Sequence, residues 1–427
     1  MAGLTFEDKD FNLRVAGFIA NRVAFNQHRS FSKFIIRLSI VATVISVAVM
    51  IVTLAFANGF QETVSQKVFS FWGHIRIQER QPYKALIAEE IPLQKNDTLI
   101  SEIKKNPRVV SVHPFATKYA MLKTKDEIEG LLVKGLDPTY DFAHLRPFIT
   151  SGEPIHFNDS TYSREIMLSE YTAAQLKLKV NDRILIYFIQ PDDETGSRIR
   201  PDKLTVTGIF KTGIEEYDKT FAIGDIKLIQ RLNDWDSTEA GGYEIFLTDH
   251  HQLYEDAYAI FETDEFPATW DTQTAKDISP NIFDWLSMQD QTRNVLIGLM
   301  LGVAIMNLMT CLLILVLERV KMVGILKALG ASDLTVQQIF LWHSLIITMM
   351  GIIIGAVVGL AILFLQEKTG FIKLKEQAYY MSEAAVKIVW WEVGVICGGA
   401  FLVCLLVLLI PSILVRKISP VKAIRFN

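Results

Sequence analysis

Four stretches of this 427-residue chain are long and apolar enough to cross a lipid bilayer, and they limit the fold more than any other feature. A membrane-spanning helix needs about 20 mostly apolar residues. Lipid offers the backbone no hydrogen-bond partners, so each such stretch must be helical. The predicted spans cover residues 34–57, 293–317, 338–365 and 391–415. The sequence therefore predicts one span, a long hydrophilic region, and then three further spans.

Composition agrees with an integral membrane protein that carries a sizeable soluble part. Half of the residues are hydrophobic (50%), and the mean hydropathy is +0.26. The first span is not predicted to be a cleaved signal peptide, because its apolar run is too long and residues 1–33 precede it. We expect it to remain as a signal anchor.

Basic residues near the span ends predict the orientation, because Lys and Arg are retained on the cytoplasmic side. They cluster at or before the start of the first span, after the second span and after the fourth: Arg14, Arg22, Arg29, Lys33 and Arg37; Arg319, Lys321 and Lys327; Arg416, Lys417, Lys422 and Arg425. Both termini (1–33 and 416–427) and residues 318–333 are therefore expected in the cytoplasm. Residues 58–292 and 366–390 are expected outside.

The segment before the first span carries apolar residues at helical spacing. These are Phe11, Val15, Phe18, Ile19 and Val23. The pattern predicts an amphipathic helix within residues 1–33 that lies in the inner membrane interface. A cytosolic helix packed on a partner is the alternative.

The outer region, residues 58–292, is predicted to be an α+β domain with mostly antiparallel strands. Short β-rich runs separated by turn residues indicate strands at Val109–Val112, Gly130–Val133, Arg183–Ile189, Leu204–Phe210 and Tyr243–Leu247. Helices are expected at Leu86–Lys105, Ser169–Leu178, Ile226–Leu232 and Tyr254–Thr263. The three cysteines, Cys311, Cys397 and Cys404, all lie in spans, so this domain has no disulfide to hold it together.

No motif in the chain predicts catalysis or nucleotide binding. The phosphate-binding pattern GxxxxGK[ST], the zinc pattern HExxH and the serine-nucleophile pattern GxSxG of the outer domain are all missing. His250-His251 beside Asp249 is the nearest candidate for a metal site, and a solvated turn explains it better. We expect a non-enzymatic chain with no metal, no cofactor of its own and no nucleic-acid partner.

The run between the second and third spans predicts a short helix that is tied to both. Its apolar residues fall at i, i+3, i+4 and i+7: Met322, Ile325, Leu326 and Leu329. Gly330 is expected to end this helix, and Ser332 or Asp333 to cap the next one. Such a helix can receive a push from a soluble partner, although a plain amphipathic connector would show the same pattern.

Small and polar residues in the third span predict close helix packing. Gly351, Gly355 and Gly359 form a doubled GxxxG face, which serves either packing within the chain or a dimer seam. The polar residues Asn307 and His343, in the second and third spans, are expected to hydrogen-bond between helices.

Several motifs, in order, resemble those of FtsX/MacB-type ABC permeases. Arg319 and Gly324–Ser332 (GILKALGAS) after a span resemble the coupling-helix signature of this superfamily, and Pro411–Arg425 resembles its C-terminal end. Within it, the LolC, LolE and LolF lipoprotein-releasing permeases are the best match. The motifs that resemble theirs are Phe18–Arg22, Phe56–Phe60, Gly130–Asp137, Val180–Ile184, Val206–Phe210 and Glu216–Asp218.

This resemblance implies a subunit of an ATP-driven complex in the bacterial inner membrane. Such complexes extract lipoproteins from the outer leaflet and pass them to a periplasmic carrier, with no transport across the membrane. The implied partners are a LolD-like ATPase dimer that binds ATP and Mg, a second permease copy (identical or a paralogue), membrane lipid, the lipoprotein, and a LolA-like carrier.

The resemblance also implies three sets of functional residues. The coupling helix would present Arg319, Lys321, Met322, Gly324, Ile325, Leu326, Lys327, Leu329 and Gly330 to the ATPase. The acyl chains would enter between the first two spans, near Met50, Leu54, Phe60, Leu296 and Leu299. A carrier-binding hairpin, the hook, would span residues 188–201, including Pro191, Gly196, Arg198, Arg200 and Pro201, as an exposed turn outside the strand ladder. This stretch is shorter and more charged than the hook of the family.

Two other functions fit the same frame. One is a MacB-like efflux permease, although that type usually carries its ATPase in the same polypeptide. The other is an FtsX-like transmitter that controls a wall hydrolase, although its outer loop is typically much smaller. An apolar cavity that holds lipid between the first two spans would favour lipoprotein release over either.

Overall fold

The computed structural model describes residues 31–80, 90–124, 127–158, 161–190 and 198–416. These residues form two compact units. The membrane unit comprises the described residues up to Gln61, Ser287–Lys373, and those from Glu383 onward. The outer unit comprises Glu62–Leu286 and Leu374–Ser382. The amphipathic helix and the basic tail expected at the two ends of the chain lie almost entirely outside the described residues.

The elements follow one another in this order: α1 (Phe31–Trp72), β1 (Ile75–Glu79), β2 (Leu93–Gln94), α2 (Asp97–Ile103), β3 (Val109–Lys123), β4 (Ile128–Leu136), two 3₁₀ turns (Phe142–His144 and Arg146–Phe148), β5 (Ile149–Gly152), β6 (Glu165–Ser169), α3 (Glu170–Gln175), β7 (Arg183–Gln190), β8 (Arg198–Phe210), α4 (Glu215–Thr220), β9 (Phe221–Asp225), α5 (Ile226–Leu232), β10 (Glu239–Ala240), β11 (Gly242–Leu247), α6 (Leu253–Phe261), β12 (Trp270–Thr274), α7 (Ala275–Ile278), α8 (Pro280–Glu318), α9 (Val320–Ala328), α10 (Asp333–Thr369), α11 (Glu376–Tyr379) and α12 (Trp390–Arg416).

Within the described residues, four helices are long and apolar enough to cross a membrane: α1, α8, α10 and α12. Each contains one of the predicted spans. Helix α1 continues well past the end of its span, because Val64, Val68 and Phe71 keep one face apolar and buried at helical spacing. Helix α8 likewise begins upstream of its span, with Ile282 and Leu286 buried.

The three glycines of the third span pack within the chain, against α1. A Cβ atom at Gly351 would lie 2.7 Å from Thr43 Cγ2, and one at Gly355 would lie 2.8 Å from the Val44 carbonyl oxygen. At Gly359 the nearest atom, Ala48 Cα, is 3.2 Å away. The doubled GxxxG face therefore allows α10 to approach the backbone of α1, as small residues do in membrane helix pairs.

We expect Gly355→Leu to destabilise the protein by about 1–3 kcal/mol, because overpacking a close contact forces helices or rotamers to move. The temperature at which the detergent-solubilised protein unfolds measures this loss. Gly302→Leu on α8 is the matched control, since a Cβ there meets nothing within 4 Å. Equal unfolding temperatures for the two variants would show that Gly355 does not set the approach of α10 to α1.

The core of the outer unit is a closed ring of six strands, paired in the order β3, β4, β9, β6, β8, β7 and back to β3. Side chains on its inner face are buried, as shown by the cross-strand pairs Ala120–Phe188 and Leu122–Ile186. Pairing is mostly antiparallel, as predicted; β4–β9 and β6–β8 are parallel. Strands β11, β1 and β12 extend the sheet from the first half of β3.

Two local predictions are wrong. The helix expected at Leu86–Lys105 is interrupted by strand β2, and α2 begins only after Asn96, whose side chain accepts a hydrogen bond of 3.0 Å from the Leu99 N–H. Strands β7 and β8 are also longer than expected, since their ladder extends to the pair Gln190–Arg198. The ends of the predicted hook are therefore paired strand.

The segment between α10 and α12 is ordered rather than a plain loop. Gln366, which is 2% exposed, accepts a hydrogen bond from the Ile372 N–H (2.9 Å) and donates one to the Ala384 carbonyl (3.0 Å). The tip, Leu374–Ser382, belongs to the outer unit. There Lys67 Nζ donates to the Tyr380 carbonyl at 2.5 Å.

Candidate functional site

Helix α9, the predicted coupling helix, is fixed to the membrane unit along one face. Val323 is fully buried (0% exposed) in a cluster with residues of α8, α10 and α12. Met322 and Leu326 pack against the same cluster from its edge. The burial of this face removes apolar surface from water and holds α9 in place against its neighbours.

The opposite face of α9 is free. Lys321, Ile325 and Leu329 recur every four residues, and the two apolar side chains are 55% and 80% exposed. The predicted stripe thus divides: Ile325 and Leu329 point away from the cluster, whereas Met322 and Leu326 face it. Of the coupling residues expected from the sequence, Gly324 is buried and Arg319 is half-buried.

The junction between α9 and α10 is well defined. Gly330 has φ of +96°, a left-handed conformation that favours glycine and ends the helix. Ser332 caps α10 by accepting a hydrogen bond of 3.2 Å from the Thr335 N–H, so Ser332 rather than Asp333 is the cap. Lys327 Nζ lies 2.8 Å from Asp333 Oδ1, which ties α9 to the first turn of α10.

The residues expected to admit acyl chains do not form one surface. Met50 is 2% exposed and lies in a cluster of α1, α10 and α12 side chains, whereas Leu54 and Phe60 are half-buried. Leu296 and Leu299 are 39% and 59% exposed.

The side chains of α8 that pack against the Met50 cluster are different ones: Ile297, Met300 and Leu301. They and the facing part of α1 form the α1–α8 seam. Further along, Asn307 Nδ2 donates a hydrogen bond of 3.0 Å to the Ser39 carbonyl, which confirms the expected helix-to-helix use of Asn307.

A buried ion cluster, which sequence reasoning missed, surrounds the end of α1 in the outer unit. Lys134 Nζ donates to the Phe71 carbonyl and lies 2.7 Å from Glu244 Oε1. Glu244, which is fully buried, also lies 3.6 Å from Arg76. Burial lowers the pKa of Lys134 to about 8, and Glu244 opposes that shift, so the lysine remains mostly protonated at neutral pH.

Aromatic rings complete this cluster. The Arg76 guanidinium lies 3.8 Å from the centroid of Phe115 and 4.5 Å from that of Trp72. The Thr117 N–H donates to Glu90 at 2.8 Å. The end of α1 is therefore surrounded in the outer unit by buried, ion-paired charges, of which Lys134 donates a hydrogen bond to the helix itself. A lone Lys in a strand pattern gave no signal of this, because its partner lies more than 100 positions away in sequence.

The stem of the predicted hook is a continuation of β7 and β8, two strands of the six-stranded ring. Pro201 pairs with Tyr187 and Arg198 with Gln190. Arg200 lies 3.5 Å from Asp234 of the outer unit. Pro191 and Gly196 lie outside the described residues.

Near this stem the outer face of the ring carries exposed apolar side chains. Tyr119, Ile128, Leu185 and Ile199 are 44%, 60%, 39% and 55% exposed. Their strands are neighbours, since β3 pairs with both β4 and β7, and β7 pairs with β8. We call these four residues the ring patch.

Two histidines of the outer unit stack on phenylalanine rings. His144 stacks on Phe246 at 4.1 Å, and His74 stacks on Phe69 at 4.4 Å. Burial lowers the pKa of His74 to about 3, so it is neutral at ordinary pH. In the described part of the chain, no group of three or more His, Cys, Asp or Glu side chains could hold a metal ion.

Two family models match consecutive parts of the chain. Residues 38–246 match the MacB-like periplasmic core domain, and residues 294–420 match the FtsX-like permease C-terminal domain. Among solved structures, the periplasmic region of MacB from Actinobacillus actinomycetemcomitans is similar with a TM-score of 0.34 and 10% identity, covering 49% of this chain and 92% of that one.

Curated relatives extend the similarity over nearly the whole chain. The lipoprotein-releasing system transmembrane protein LolC of Xylella fastidiosa is 22% identical over 413 residues, covering 94% of this chain and 96% of that protein. The lipoprotein-releasing system transmembrane protein LolE of Haemophilus influenzae is 21% identical over 403 residues, covering 91% and 94%. The chain is therefore similar to FtsX/MacB-type permeases in two consecutive regions, and it is similar to LolC and LolE over nearly its whole length.

Proposed function

We propose that this chain is the permease subunit of an ATP-driven complex that extracts lipoproteins from the outer leaflet of the inner membrane and delivers them to a periplasmic carrier. The observation that carries the proposal is the near full-length similarity to lipoprotein-releasing system transmembrane proteins, across both units in the same order. ATP and Mg are bound by a separate ATPase subunit, and both termini are cytoplasmic. The chain itself performs no catalysis.

Helix α9 is the ATPase contact in this proposal. Its buried face fixes it to α8 and α10, so a displacement of α9 moves these helices with it. Its free face offers Ile325 and Leu329 to a partner, with Lys321 beside them. Exposed apolar side chains next to a cation are typical of a docking surface rather than of a connector.

Helix α1 is the second moving element in this proposal. It lies next to α8, as the hydrogen bond from Asn307 to the Ser39 carbonyl shows. A displacement of α8 through α9 therefore changes the contact between α8 and α1. We propose that this movement opens the α1–α8 seam to acyl chains and then expels them.

The carrier docks on the ring patch and the hook stem in this proposal. We expect the double variant Tyr119→Asp/Ile199→Asp to weaken binding of a LolA-like carrier about tenfold or more, since each substitution places a charge in an apolar contact. Binding of purified carrier to the immobilised complex measures this effect. Tyr258→Asp, at a side chain that is 62% exposed on α6, is the control. Equal binding by both variants would remove the ring patch from the carrier interface.

The proposal is tested by purifying the detergent-solubilised protein from its own membranes and identifying what accompanies it by mass spectrometry. A co-purifying ATPase together with acylated lipoproteins is the expected result, and it also tells whether the second permease copy is identical. An ATPase with a wall hydrolase and no acylated passenger would indicate an FtsX-like transmitter instead. An ATPase with a periplasmic duct protein would indicate MacB-like efflux.

A further inference from the structure

One end of the α1–α8 seam is closed by polar side chains of the membrane unit. Asn58 and Gln61 lie on α1, and Asp290 and Arg293 on α8. The Arg293 guanidinium donates to Asn58 Oδ1 at 3.3 Å, and the Gln61 amide donates to Asp290 Oδ2 at 3.3 Å. Arg293 also pairs with Asp290 at 3.1 Å, one helical turn away. Two hydrogen bonds thus connect α1 and α8. The two α8 residues that make them, Asp290 and Arg293, also form an ion pair with each other.

The position of this group matches the membrane interface. On α8 the apolar run begins at Val295, two residues after Arg293, and on α1 it ends at Ala57, directly before Asn58. Charged side chains are costly in the hydrocarbon and stable at its edge. Just inside this edge lie the apolar side chains Ile297, Met300 and Leu301, which pack against the Met50 cluster.

The two sides of α1 are joined very differently at this level. Toward α12, the backbones meet: the Lys387 N–H donates to the Ala55 carbonyl at 3.1 Å, and a Cβ at Gly59 would lie 2.6 Å from the Ala385 carbonyl carbon. Asn58 Nδ2 also donates to Glu392 at 2.5 Å. Toward α8, long side chains make the polar contacts.

The contacts with α8 can exchange with water. The side chains of Arg293 and Asp290 are 19% and 31% exposed, so water or lipid headgroups can replace their partners when the helices separate. The contacts with Ala385 and Lys387, just before α12, involve backbone groups that would lose their partners in the same process, which is costly where water is scarce. The α1–α8 side is therefore the one that can open.

We propose that Asn58, Gln61, Asp290 and Arg293 form a polar latch that closes the α1–α8 seam and must open before an acyl chain enters it. This inference rests on the proposed function. It adds the group that controls access to the seam, and it distinguishes an opening side of α1 from a fixed side.

A reversible cross-link across the latch tests the inference. In Gln61→Cys/Asp290→Cys, oxidation joins two positions whose native side chains are in hydrogen-bond contact. The full complex is reconstituted in vesicles with an acylated protein, and ATP-dependent release is measured before oxidation, after oxidation and after reduction. We expect oxidation to reduce release at least tenfold, reduction to restore it, and each single-cysteine variant to be insensitive.

The matched control is Lys373→Cys/Glu383→Cys, which joins a bridged pair in the segment between α10 and α12 and does not cross the seam. Its release should not change on oxidation. The proposal would be overturned if the Gln61→Cys/Asp290→Cys variant released acylated protein equally fast with its disulfide formed and with its disulfide reduced.

A second readout separates the latch from the proposed substrate. A photo-crosslinking residue at Met300, which lies in the seam, should label lipid in the reduced latch variant and lose most of that labelling when it is oxidised. If the wild-type complex releases no acylated protein but this labelling still depends on the disulfide, the proposed function fails and the latch stands. If labelling does not depend on the disulfide, the latch fails even where release is normal.

Discussion

The double variant Ile325→Asp/Leu329→Asp is expected to abolish most of the stimulation that this permease gives to its partner ATPase, while still inserting into the membrane. Charges at central contacts of an interface cost about 2 kcal/mol or more, which is about 30-fold in affinity. Both side chains are largely exposed on α9, so the variant leaves the packing of the permease itself unchanged. ATP hydrolysis by the reconstituted complex measures the effect.

Two controls bracket this result. Val110→Asp places the same charge at an exposed apolar position of the outer unit (58% exposed) and should leave ATP hydrolysis unchanged. Val323→Asp buries a charge in the cluster beneath α9 and should impair insertion or folding rather than coupling alone. Normal stimulation by the double variant would mean that the ATPase does not bind this face of α9.

The second large effect is expected in the outer unit, where Glu244→Leu should destabilise the protein by about 3–5 kcal/mol. Removing one partner of a buried ion pair leaves the other charge uncompensated. Here Lys134 and Arg76 would both lose their shared carboxylate. The unfolding temperature of the detergent-solubilised protein, followed by tryptophan fluorescence to which Trp72 at the cluster contributes, measures the loss.

Glu102→Leu is the matched control, since Glu102 pairs with Lys105 at an exposed site and such pairs contribute less than about 1 kcal/mol. Adding Lys134→Met to Glu244→Leu should recover part of the loss, because the double variant removes an uncompensated charge. If Glu244→Leu and Glu102→Leu had the same unfolding temperature, the ion cluster would not hold the end of α1.

Features encoded by local pattern could be predicted from the sequence. The four spans depend only on length and hydropathy, and the end of α9 at Gly330 and the cap at Ser332 depend on single residue types. The glycines of α10 predict close helix packing, but the sequence pattern does not identify the helix that packs against them. The structure shows that it is α1 of the same chain.

Features that depend on contacts distant in sequence could not be predicted. The predicted stripe on α9 joins Met322 and Leu326 with Ile325 and Leu329, because periodicity alone cannot tell that the first two pack against the buried cluster while the last two are exposed. Periodicity likewise does not tell that Ile297, Met300 and Leu301 of α8, rather than the predicted entry residues Leu296 and Leu299, pack against the Met50 cluster. The latch and the ion cluster both join residues more than 100 positions apart.

The central claim, that this permease releases lipoproteins, is tested most directly by reconstituting the purified complex in vesicles that contain a triacylated lipoprotein. After addition of ATP and a LolA-like carrier, the vesicles are sedimented and the lipoprotein in the supernatant is measured. We predict that it appears bound to the carrier only when ATP is hydrolysed, and not with the Ile325→Asp/Leu329→Asp variant. Vigorous ATP hydrolysis with all of the lipoprotein left in the vesicles would contradict the account.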